Sequence, residues 1–83
     1  MSTVDELREE WLAKVEVAEG LTSEARSQAL IIARNVANDV QPVAARVQAF
    51  RTADVRAGQA WTSARQAQAA FDQARAQAAE VPA

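Results

Sequence analysis

The residues best placed to do chemistry are two carboxylate pairs, Glu6/Glu10 and Glu16/Glu19, spaced four and three apart. On a helix each pair projects from one face, a geometry that can hold a divalent cation. Helical carboxylate pairs are far more often a solvated face, and the di-metal sites of helical bundles also draw on an interior histidine. This chain has no His and no Cys. That removes the usual zinc and copper ligands, the proton shuttle that works near neutral pH and the thiolate nucleophile. Ser2, Ser23, Ser27 and Ser63 have no plausible base beside them and read as caps or solvated surface. No Gly-rich phosphate loop is present. The chain therefore reads as non-enzymatic, with no catalytic residue, no cofactor and no metal.

Nucleic-acid binding is a stronger rival than catalysis. Seven arginines (26, 34, 46, 51, 56, 65 and 75) follow residue 25. Arg51, Arg56, Arg65 and Arg75 do not fall on one stripe of a helix, however, and the pI is near 5.0. A dedicated binder concentrates its basic residues on one face. Nucleic acid is an unlikely partner on this pattern. A membrane surface is less likely still, because no basic face stands opposite a bulky apolar one.

The elements that carry these residues follow from composition. Ala, Arg, Gln and Glu are strong helix formers, and only two Gly and two Pro interrupt them. The expected class is all-α, in a single helical domain over residues 1–83. Of the 49% apolar residues, 21 of the 83 are alanine. The large apolar groups are Trp11, Trp61, Phe50, Phe71, four leucines and a modest set of Val and Ile. An alanine-rich core yields little at about 25 cal/mol per Å² unless backbones come close together. A domain this small, without disulfides or metals, depends on well-packed helices or on partner subunits.

Charge is uneven along the chain. Residues 1–24 hold seven acids against Arg8 and Lys14, a balance of −5, whereas residues 25–83 hold seven arginines against four acids, a balance of +3. The asymmetry pairs an acidic first helix with basic later ones, within one molecule or head-to-tail between molecules. The N-terminus has Asp5 and Glu6 where a signal peptide is basic and then apolar, and the longest apolar run is Ala29–Ala33. The expectation is a protein of the cytoplasm or of a virion, not secreted by a signal peptide.

Three helices are expected, over about 3–19, 23–40 and 42–79. Thr3 followed by Glu6 reads as a capping box, and Val4, Leu7, Trp11, Val15 and Ala18 share one face. Gly20 is expected to close the first helix in a left-handed conformation, with Gly20-Leu21-Thr22-Ser23 as a turn and Thr22 or Ser23 capping the second helix. Ala25, Ala29, Ile32, Val36 and Val40 form the second inner stripe. Pro42 then removes a donor and restricts Gln41, so a break at Val40-Gln41 is expected, with Pro42 opening the third helix. A helix kinked but continuous through Pro42 is the rival. The architecture is a helical hairpin followed by a long C-terminal helix, as a three-helix bundle or a coiled-coil-like arrangement.

Within the last helix Val43, Phe50, Ala57, Ala64, Phe71 and Ala78 are spaced by seven, as are Arg46, Ala53, Ala60, Ala67, Ala74 and Val81. Together they alternate three and four, the mark of a coiled-coil seam. Its alanines permit two helix backbones to approach near or below the short end of the usual ~8–10 Å. Phe50, Ala53, Ala57, Ala60, Ala64, Ala67, Phe71, Ala74 and Ala78, with Trp61 beside them, are the expected protein-interaction residues. Trp61 itself reads either as a core residue or as an exposed anchor for a partner.

At 1.5 Å per residue the third helix spans roughly 55 Å and the first two roughly 25 Å each. Stacked as a bundle, the first two would cover half of the third and leave the Ala60–Ala78 seam bare for a second chain. Laid end to end along it, they would match its length without a partner. This Ala/Arg/Gln/Glu-rich style, free of His and Cys, is similar to that of small virion and scaffold components of bacteriophages from GC-rich hosts. The resemblance lies in composition and carries no site residue. It implies a structural or adaptor subunit that acts through helix–helix contacts, with self-association or a larger protein assembly as partner. The alternative is a regulatory protein-binding module of antitoxin or inhibitor type, with Trp61 and the Phe71 region inserted in a partner's groove.

Overall fold

The computed structural model describes residues 3–80. It is all-helical, with helix α1 (Val4–Ala37) and helix α2 (Ala44–Glu80) joined by a six-residue loop. The two run antiparallel. Trp11 stacks on Phe71 with ring centroids 5.5 Å apart, and Trp61 meets Thr22, so rising numbers on one helix face falling numbers on the other. The hairpin is a rod 67 Å long and 18 by 13 Å across.

The ends of α1 follow the chain's local chemistry. Thr3 caps the N-terminus, its hydroxyl accepting from the Glu6 amide at 3.1 Å, and Asp5 and Glu6 sit at the positive end of the dipole. At the other end Val40 N–H donates to Asn35 C=O at 2.7 Å and Asp39 N–H to Val36 C=O at 3.1 Å. Asp39 takes the left-handed conformation, φ 57°, that this closing motif requires. Val43 C=O then accepts from Arg46 and Val47, which starts α2. Pro42 therefore lies in the loop just before the cap rather than at the first helical position. The helix kinked through Pro42 does not form.

Two expectations fail at Gly20. It does not close a helix, since neither glycine has positive φ, and residues 4–37 form one helix where segments over 3–19 and 23–40 were expected. The hairpin consequently has two helices rather than three. The reason is that the inward-facing residues keep one phase across Gly20. Val4, Trp11, Ala18, Ala25 and Ile32 are spaced by seven, with Leu7, Lys14, Leu21, Gln28 and Asn35 between them, and all ten are buried or half-buried. Breaking the helix would discard backbone hydrogen bonds and that register, against a cost of about 1 kcal/mol for a helical glycine. Thr22, expected as a cap, stays inside the helix and donates its hydroxyl to Ala18 C=O at 2.8 Å.

The core is thin. Its buried residues are Ala18, Ala25, Ala53, Ala57, Ala64, Ala67 and Phe71, six of the seven being alanine. The register set by Trp11 and Phe71 places Ala18 level with Ala64 and Ala25 level with Ala57, where small side chains allow close helix approach.

Candidate interaction surface

The seam of α2 faces α1 of the same chain. Ala53, Ala57, Ala64, Ala67 and Phe71 are buried there, and Phe50, Ala60 and Ala74 are half-buried. Ala78 is exposed. Of the two arrangements open to the sequence, the structure has the end-to-end one: the expected first and second helices, fused, lie along the third. The length is matched and the seam is covered within the chain, so the bare Ala60–Ala78 stretch that would call for a second chain does not arise. Phe71 is held further by Arg75, whose guanidinium carbon lies 5.3 Å from the ring centroid.

Surfaces left for another molecule are therefore the flanks and the loop end. Trp61 lies at the border of one flank, half-buried, and its Nε1–H donates to Thr22 Oγ1 at 2.7 Å. Thr22 thus donates to its own helix and accepts from the facing one. Trp61 is neither fully buried nor free, its polar edge tied inside the hairpin while part of the indole meets solvent. Glu19, Thr22, Ser23, Arg26 and Trp61 line a shallow, open depression around it. A second shallow depression, on the outer side of α2, is lined by Gln48, Arg51, Thr52, Val55, Arg56 and Gln59.

Among the described residues seven large apolar side chains stand exposed: Leu12, Val17, Leu30, Val36, Val40, Val43 and Val55. Val36, Val40 and Val43 fall within eight residues at the loop end and are between 54% and 64% exposed. Sequence periodicity had assigned Val36, Val40 and Val43 to inner stripes. Val40 and Val43 lie in the loop between the helices, and Val36, in the last turn of α1, stands seven residues on from Ala29 and falls on the flank rather than the seam.

The electrostatics do not zip the two helices together. Among the described residues the ion pairs are Arg8–Asp5 at 3.2 Å, Lys14–Glu10 at 3.5 Å and Arg75–Asp72 at 3.6 Å, each within one helix. Exposed pairs of this kind add at most about 1 kcal/mol. Folding back gives the rod a charge gradient instead. Its open half (residues 3–22 and 61–80) holds eight acids and four bases, a balance of −4; its loop half (residues 23–60) holds three acids and five bases, a balance of +2.

One polar atom inside the hairpin is unmatched: Gln28 Oε1 is buried without a hydrogen-bond partner among the described residues. Among those residues no three acidic groups gather as a metal site would need, so Glu6/Glu10 and Glu16/Glu19 remain separate pairs. No described helix is long and apolar enough to cross a membrane. In comparisons with known families, curated proteins and solved structures, nothing matches this chain.

Proposed function

We propose that this chain is a non-enzymatic structural or adaptor subunit that acts through helix–helix contacts in a larger assembly, in the manner of small virion and scaffold components. The observation that carries the reading is the mismatch between core and surface. Six of seven buried residues are alanine, while seven large apolar side chains are exposed. Single exposed apolar groups are ordinary, but here the fully buried positions are almost all alanine. Larger seam residues such as Trp11, Leu21, Ile32 and Phe50 are only half-buried, and further large aliphatic side chains stand outside. A long rod with shallow depressions offers other molecules its flanks, and flat helix faces are recognised most readily by other helices. Light scattering of the purified chain over a range of concentrations tests the proposal. A mass that rises above 8.9 kDa with concentration is expected. A strict monomer at high micromolar concentration overturns it.

A further inference from the structure

Resting on that reading, we infer that the partner is a second copy of this chain, docked antiparallel on the flank that carries Trp61, with α1 against α1 and α2 against α2. The first support is area. The chain exposes 6253 Å². A compact monomer of 8.9 kDa exposes about 4,800 Å² by the usual scaling of surface with mass. The surplus, about 1,400 Å², exceeds the ~800 Å² that each partner contributes to a standard interface. An interface of that standard size would remove rather more than half of the surplus.

The second support is charge complementarity on the Trp61 flank, and it selects the orientation. On α1 the residues of this flank recur by seven as Leu12, Glu19, Arg26 and Ala33, and as Val15, Thr22 and Ala29. The second set is symmetric about Thr22 and the first about a point midway between Thr22 and Ser23, half a residue away. An antiparallel copy centred there sets Glu19 opposite Arg26, Arg26 opposite Glu19, Leu12 opposite Ala33 and Val15 opposite Ala29. On α2 the same flank holds Arg51, Gly58, Arg65 and Asp72, and also Val47, Asp54, Trp61, Gln68 and Arg75. The second set is symmetric about Trp61 and the first about a point midway between Trp61 and Thr62, which sets Trp61 opposite its own copy. Arg51 then lies opposite Asp72, which also pairs with Arg75 of its own helix.

The two centres lie close together along the rod, within about two residues or ~3 Å, where Trp61 Nε1–H is bonded to Thr22 Oγ1. A single two-fold axis therefore satisfies both helices at once, forming four ion pairs between copies with no like charges opposed. Glu19 and Arg26 are exposed and have no ion-pair partner among the described residues, and both line the depression beside Trp61. The parallel alternative, loop end beside loop end, gains Glu19 opposite Arg65 but places Arg8 opposite Arg75 and Leu12 opposite Asp72. It also sets the −4 half of the rod against its like. The antiparallel arrangement joins −4 to +2 at both ends.

Charge reversal tests the register. Glu19→Arg alone opposes arginine to Arg26 twice in the dimer, and Arg26→Glu alone opposes two glutamates twice. Each variant should dimerise on the order of tenfold more weakly than the parent. An equimolar mixture of the two should form a heterodimer with parental affinity or better, since both contacts between positions 19 and 26 are then attractive, one reversed and one as in the parent. Both sites are exposed, so helical circular dichroism should be unchanged. A mixture no tighter than the separate variants, or single variants as tight as the parent, overturns the inference. If the parent still assembles in that case, the structural-subunit reading survives alone. A parent that stays monomeric at high micromolar concentration overturns both.

Discussion

The indole N–H of Trp61 and the hydroxyl of Thr22, 39 residues apart in the chain, meet at 2.7 Å across the hairpin. This is the only side-chain hydrogen bond between the two helices among the described residues. Thr22→Val keeps the shape and removes the acceptor. It leaves a partly buried donor unmatched, so unfolding stability should fall by about 1 kcal/mol. Urea denaturation with an unchanged slope checks this; a midpoint equal to the parent's would show that the bond contributes nothing.

Gly20 gives a prediction whose sign separates a continuous α1 from a broken one. In a continuous helix Gly20→Ala adds a methyl that meets nothing within 4 Å. It also reduces the freedom of the unfolded chain, and stability should rise by about 0.5–1 kcal/mol. Were Gly20 a left-handed helix end, the same change would be destabilising. Thermal unfolding of the two proteins reads the sign directly.

Gln28→Leu should stabilise as well. The buried Oε1 lacks a partner, and leucine replaces it with apolar volume of similar size in the seam. A gain of about 1 kcal/mol is expected, since an unmatched buried polar group costs ~1–3 kcal/mol. A loss in chemical denaturation would mean that the amide has a partner in solution.

Asp39 occupies φ 57°, where a Cβ is disfavoured. Asp39→Gly should raise stability by up to about 1 kcal/mol at the closing motif of α1. Hydrogen exchange at the Val40 amide, which donates to Asn35 C=O, should slow in step.

Ala64 is 2% exposed and level with Ala18, which is 0% exposed. Ala64→Leu has no room between the helices and should cost about 1–3 kcal/mol by forcing them apart. The readout is a lower melting temperature by circular dichroism. Substitution of the same size at exposed Ala69 should leave it within about 0.5 kcal/mol.

The residues alone determined the helical class, the cap at Thr3, the interruption around Pro42 and the seam from Phe50 to Ala74. Each follows from local chemistry or from a period of seven read along one segment. The fate of Gly20 was not local. A glycine followed by Leu-Thr-Ser satisfies the rules for a turn as well as those for a tolerated defect, and the difference is about 1 kcal/mol. The facing helix tips that balance, because α2 supplies an unbroken partner only if α1 keeps its phase through residue 20. The sign of that phase was present in the spacing of Val4, Trp11, Ala18, Ala25 and Ile32, but Lys14, Gln28 and Asn35 on the companion positions hid it from a reading by hydropathy.

The occupant of the seam was likewise a tertiary decision. Sequence spacing identifies a surface that must be covered without saying by which helix. Once α1 proved long enough to cover it, the exposed surface was left to other residues: Glu19 and Arg26 beside Trp61, which periodicity had left aside, and Val36, Val40 and Val43 at the loop end, which it had placed on inner stripes.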